Sequence, residues 1–167
     1  MSKSYQLIIE GIIPATREAY RNNSVNQAVR VKEGRKLKDF KITLANQFKI
    51  NRPSNNFPTL KQVFVAIIQF YTSKKKDYTT RDVDNMAKTI LDVLEQNNFY
   101  KRDSQVRTLL ASKRVDVKKV PQNLSYIYIK ILDDGEDIIA VDEVVGQALD
   151  LYGKLKIKEA VVPVRPT

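Results

Sequence analysis

Apolar residues recur along this chain with two periods. The clearest helical stripe lies over residues 83–96, where Val83, Met86, Ala87, Ile90, Leu91 and Leu94 stand one to four places apart on one face and Asn97-Asn98 ends the run. Leu37, Phe40, Leu44 and Phe48 predict a second helix over residues 35–50, with Lys36, Lys38, Lys41 and Lys49 on its other faces. Ile138, Val141, Val145, Ala148 and Tyr152 predict a third. Residues 61–71 are β-branched and aromatic, which predicts a central strand buried on both faces. Residues 5–10 read as a short strand ending near Gly11 and Pro14, and residues 105–115 and 124–132 as two more, joined across Lys118, Lys119 and Pro121. In the last of these, Tyr126 and Tyr128 alternate with Ile127, Ile129 and Ile131, so one face is expected to be buried more deeply. Residues 15–33 are polar and read as a long loop. The predicted order is β-α-β-α-β-β-α, an α+β fold in which helices pack on a mixed sheet within a single domain.

Composition narrows the chemistry. A chain of 167 residues fits one domain with a real core. It contains no apolar run long enough to span a bilayer, and residues 1–5 lead straight into a strand without a signal peptide. The absence of cysteine fits a reducing compartment, so a cytoplasmic protein is expected. With histidine absent too, ordinary zinc sites and His-based triads are excluded, and hydrolytic chemistry would have to use carboxylates, lysine, hydroxyls or a hard metal ion. The net charge of +10 is unevenly spread: residues 1–132 hold 25 Lys/Arg against 11 Asp/Glu, and residues 133–167 hold 4 against 8. A body of net +14 with a tail of net −4 is the footprint expected for a polyanionic partner.

Against that basic background the carboxylates of residues 81–106 stand out. Asp82 and Asp84 are two places apart, a separation that rotates side chains by about 200° within a helix. They converge only if Asp82 lies before the first turn, which a stripe starting at Val83 allows. Both would then sit at the positive end of the helix dipole. Lys88 follows Asp84 by one turn and shares its face, and Asp92 and Glu95 continue that side. Asp103 stands where the chain enters a strand, and a strand packed beside the helix is expected to return it to the helix start. Three carboxylates at one point repel one another unless a cation sits between them. Mg²⁺ prefers such oxygen ligands and lowers the pKa of a bound water. Taken singly, each acid also has a plain structural reading: Asp82 as an N-cap, Asp84 as a first-turn acid, Asp103 as a turn residue.

The motif Arg-Asp-x-Asp-Asn-x-x-Lys over residues 81–88, followed by Asp-x-Gln-Val over 103–106, resembles the RusA family of Holliday junction resolvases of bacteria and their prophages. The resemblance implies that Asp82, Asp84 and Asp103 are catalytic and bind Mg²⁺ or Mn²⁺, with Lys88 as the motif lysine. It also implies a homodimer that nicks two opposed strands of a four-way DNA junction in recombination and repair. Where the best-known members carry paired acids at the last motif position, this chain has Arg102-Asp103. Residues 1–132 are read as the RusA-like nuclease domain, and 133–167 as an acidic helical extension packed on it.

The cations expected to contact phosphate are Arg17, Arg21, Arg30, Lys74, Lys75, Lys76, Arg81 and Arg102. Two other functions compete: a non-catalytic DNA- or RNA-binding protein with a degenerate RusA-like site, and a metal-dependent phosphohydrolase of a small substrate. The acid triad speaks against the first and the extended basic body against the second. The dimer interface is expected on the helix bearing Phe40 and Phe48, or on the loop around Phe57.

Overall fold

The computed structural model describes residues 4–15, 20–22, 28–30, 34–52, 57–72, 76–115, 124–133 and 141–160. In chain order the elements are strands β1 (Ser4–Glu10), β2 (Tyr20–Asn22) and β3 (Ala28–Arg30), helix α1 (Arg35–Asn51), strand β4 (Val63–Tyr71), the single turn α2 (Lys76–Thr79), helix α3 (Val83–Gln96), strands β5 (Val106–Val115) and β6 (Tyr126–Asp133), and helix α4 (Val141–Ala160). The main sheet has the order β1-β6-β4-β5. β4 runs parallel to β5 and antiparallel to β6, which pairs antiparallel with β1, so the sheet is mixed as expected.

All nine residues of β4 are buried, because the strand has a neighbour on each side and helices on both faces. Side chains alternate between the faces. Val63, Val65 and Ile67 meet Ile127, Ile129 and Ile131 under α1 and α3, whose Leu44, Phe48, Met86, Ala87, Ile90 and Leu94 complete that core. Phe64, Ala66, Ile68 and Phe70 join Tyr128 and Leu132 on the other face, beneath Val144, Ala148 and Tyr152 of α4. The Tyr152 ring stacks on Phe70 at 4.3 Å, nearly parallel.

Several expectations need correction. The polar stretch read as a loop contains a hairpin, with Tyr20 paired to Arg30 and Asn22 to Ala28. Strands of three residues are too short to show an apolar period. β6 is buried on both faces rather than mainly one, since α4 covers the side carrying Tyr128. α4 is present, but it buries Val144, Ala148 and Tyr152; Val145 is only partly buried, and Ile138 lies outside the described residues. Of the aromatic residues on the elements expected at a dimer interface, Phe48 is buried in the core, and Phe40 and Phe57 are partly buried against it. Phe48 is 1% exposed and packs edge-on to Phe99 at 5.0 Å. The same helix, α1, exposes Ile42 and Ile50.

One charged residue sits inside the α4 layer. Lys130 is 5% exposed and donates to Gln147 Oε1 on α4. Burial holds its ammonium below the ordinary lysine range, with Glu143 pulling the other way. Among the described residues no helix is long and apolar enough to cross a membrane.

Candidate active site

The start of α3 is built as the motif spacing requires. Asp82 occupies the N-cap position with extended backbone (φ −86°, ψ 142°), and Asp84 lies in the first turn. Both side chains are exposed. The Asp82 carboxylate makes no capping hydrogen bond, so helix capping does not account for it. Two acids at this end face the positive pole of the α3 dipole.

Lys113, Arg81 and Gln69 hold this helix start and the segment beside it. Lys113 of β5 donates to the Arg81 carbonyl at 2.7 Å and the Tyr78 carbonyl at 2.9 Å, with its ammonium 4.5 Å from the Tyr78 ring centre. The Arg81 Nε donates to the Ile13 carbonyl at 2.7 Å, docking the segment after β1 beside Asp82. That segment is held from below by Gln69, fully buried in β4, which accepts from the Ile13 N–H at 2.9 Å and donates to the carbonyls of Gly11 at 2.9 Å and Tyr126 at 3.0 Å. Gly11 has φ +143°, a conformation that L side chains rarely adopt. The result is a small cleft between Pro14 and Ala15 on one side and Thr80, Arg81, Asp82 and Asn85 on the other. Further along the chain, β2 and β3 carry Arg21 and Arg30.

Asp103 lies elsewhere. It opens a turn of 3₁₀ helix, Asp103–Gln105, at the foot of β5. Its carboxylate lies close enough to that of Glu95, near the C-terminal end of α3, for the two charges to repel. Burial, then the neighbouring Asp103 carboxylate, then the Asp92 charge hold Glu95 above the ordinary carboxylate range. The Tyr100 hydroxyl is pushed upward too, chiefly by burial and then by the charges of Asp103, Glu95 and Asp92, and it donates to the Leu91 carbonyl at 3.0 Å. Asp92 itself pairs with Lys41 of α1 at 3.6 Å.

The three motif aspartates therefore do not meet within one chain. Glu95 follows Asp84 by eleven residues, and a rise of 1.5 Å per residue places it about 16 Å further along the axis. Asp103 belongs to that distant end. The reason is topological. β4 and β5 are parallel, so α3 runs back between them, and the foot of β5 lies by the end of the helix rather than its start. Among the described residues no three acids gather closely enough to hold a metal ion.

The remaining predicted residues divide as follows. Lys88 is exposed one turn after Asp84, and among the described residues no ion pair joins it to Asp84 or Asp92. Arg102 is exposed next to Asp103, and Arg81 is partly buried at the cleft. Arg21, Arg30 and Lys76 are described only in their backbone, and Arg17, Lys74 and Lys75 lie outside the described residues. Lys113, Gln69 and Gln105 had drawn no attention as site residues. Gln69 carried a signal, being the one polar residue inside the apolar run of β4. Lys113 carried none, since one more lysine in a basic chain looks like surface.

A family model described as Endodeoxyribonuclease RusA matches residues 11–131. The chain belongs to the RusA family. No curated protein matches it. The RusA family comprises endodeoxyribonucleases acting on Holliday junctions. The matched span begins at Gly11, in the segment that Gln69 and Arg81 hold, and ends within β6 at Ile131. It takes in both ends of α3 and leaves α4 outside.

Proposed function

We propose that this RusA-family chain works as a homodimer that cuts four-way DNA junctions with the help of a divalent metal ion, in recombination and repair. The observation that carries the reading is the placement of Asp82 and Asp84, exposed and without a capping role, at the head of a helix in a strongly basic chain of that family. The donor set suits a hard ion such as Mg²⁺ or Mn²⁺, since the available ligands are carboxylate oxygens and histidine and cysteine are absent. Such an ion supplies an activated water and stabilises charge on phosphate.

Asp82 and Asp84 would hold it from one protomer. Asp103 of the same chain is too far along α3 to join them, so the third carboxylate is assigned to the second protomer. A homodimer offers two such composite sites related by its two-fold axis, matching the near two-fold symmetry of a junction that needs two cuts. Lys88, exposed one turn after Asp84, would neutralise the phosphate. The cations Arg17, Arg21 and Arg30, together with Lys74, Lys75, Lys76, Arg81 and Arg102, would contact backbone phosphates and so favour branch shape over base sequence.

The separation of Asp103 favours a second reading, a non-catalytic DNA-binding protein with a degenerate site. Purified protein incubated with Mg²⁺ on a four-way junction and on a linear duplex of the same sequences decides between them. The proposal expects paired nicks in the junction, little cutting of the duplex and none in EDTA. Tight junction binding with no cutting at any Mg²⁺ or Mn²⁺ concentration would establish the second reading.

A further inference from the structure

We infer that Gln105 is a positioning residue for Asp103 in the junction-cutting reaction, an inference that rests on the function proposed above. A carboxamide offers two donors and two acceptor lone pairs, and Gln105 uses all four. Its Oε1 accepts from the backbone N–H groups of Lys101 at 2.7 Å and Arg102 at 3.2 Å. Its Nε2 donates to the backbone carbonyls of Thr59 at 3.1 Å and Lys61 at 2.9 Å. Its own N–H donates to the Arg102 carbonyl at 2.9 Å. The turn that carries Asp103 is thus wrapped around the Gln105 side chain, and that side chain pins the turn to the lead-in of β4.

The lead-in is itself anchored from inside the protein. Thr59 is 1% exposed, its hydroxyl donates to Asp133 Oδ2 at 2.7 Å, and its N–H donates to the Phe99 carbonyl at 3.2 Å. The Lys61 N–H donates to the Thr59 hydroxyl at 3.2 Å, and the Lys61 ammonium lies 3.8 Å from the other oxygen of Asp133, a carboxylate that is 2% exposed. Asp103, in contrast, is exposed, and its carboxylate faces the like charge of Glu95. The location of its carboxylate therefore depends on the backbone around it, and Gln105 ties that backbone to a buried anchor. Other side chains do not replace it. Glutamate has the same length but lacks both donors, and asparagine is one methylene short.

The test uses full-length Gln105→Ala and Gln105→Glu, the second keeping the shape should the first fold poorly. Four quantities are measured: junction affinity in EDTA, single-turnover cutting rate against Mg²⁺ concentration, the folded fraction by melting, and amide exchange of Lys101 and Arg102. The inference expects junction affinity within about two-fold of wild type and a cutting rate per folded protein lower by about 10–100-fold, the scale set by a misplacement near 1 Å. It also expects a several-fold higher Mg²⁺ requirement and faster exchange of the two amides. Wild-type cutting per folded protein would overturn it, as would a rate loss matched by an equal loss of folded fraction or of junction affinity. If the unaltered protein cuts no junction, the proposed function fails first and takes this inference with it. If the unaltered protein cuts and the variants cut equally well, the inference alone fails.

Discussion

Replacing any one of Asp82, Asp84 and Asp103 by asparagine is expected to lower junction cutting by about 10²–10³-fold or more, the loss typical of deleting one preorganised charge-stabilising group, while junction affinity stays the same or rises. Asparagine keeps the shape and removes the charge, so metal capture weakens and the repulsion of phosphate falls. Effects on the fold should be small and should differ in sign. Asn serves as well as Asp at an N-cap, and the Asp82 side chain makes no capping bond in any case. Asp103→Asn removes a like charge beside Glu95, so its melting temperature should hold or rise while its activity falls. A loss of activity that tracked a loss of folded protein would assign these acids a structural role instead. Single-turnover cutting, junction affinity in EDTA and melting curves on the three variants provide the comparison.

Ending the chain at Asp133 should abolish cooperative folding. α4 lies outside the span matched by the family, yet it covers one whole face of the sheet. Without it Phe64, Ile68, Phe70 and Tyr128 meet water, although each is now 6% exposed or less. At about 1.5–3 kcal/mol for each large apolar side chain returned to water, the loss is comparable with the roughly 5–15 kcal/mol by which a domain is stable. The truncated chain should be insoluble, or soluble without a sharp melting transition. A gentler variant, Tyr152→Ala, should cost about 3–5 kcal/mol through the cavity left over Phe70 and should spare junction cutting per folded protein. A truncated protein that melts as sharply as the full chain would show that the sheet finds cover elsewhere, such as against a second protomer.

The elements with strong periodic burial were legible in the sequence. α3 has one apolar stripe and a polar remainder, so its span and its buried face follow from spacing alone. β4 was legible because an unbroken apolar run of that length fits a strand covered on both sides. α4 was harder. Val141, Val144, Val145, Ala148, Leu149, Leu151 and Tyr152 surround most of its circumference, so the pattern supports more than one inward face and the sheet selects Val144, Ala148 and Tyr152. The aromatic residues of α1 were identified as apolar, but a helix pattern does not say whether an apolar face meets the same chain or another one. At the site, the local geometry of Asp82 and Asp84 could be read because it depends on a helix start. The position of Asp103 could not, because it depends on whether two strands run parallel. Nor does a sequence show that one glutamine binds four backbone groups on both sides of a turn.

The two-protomer arrangement is tested most directly by mixing inactive chains. One chain carries Asp82→Asn and Asp84→Asn, and the other carries Asp103→Asn. Heterodimers are purified through a different tag on each chain, and nicking of a four-way junction is measured in Mg²⁺. If each site joins Asp82 and Asp84 of one protomer to Asp103 of its partner, every heterodimer holds one intact site and one doubly crippled site. It should then nick one strand at about half the wild-type rate per dimer, although each homodimer alone is silent. If all three acids act within a single chain, both sites of the heterodimer are damaged, and a heterodimer as silent as its parents would contradict the account.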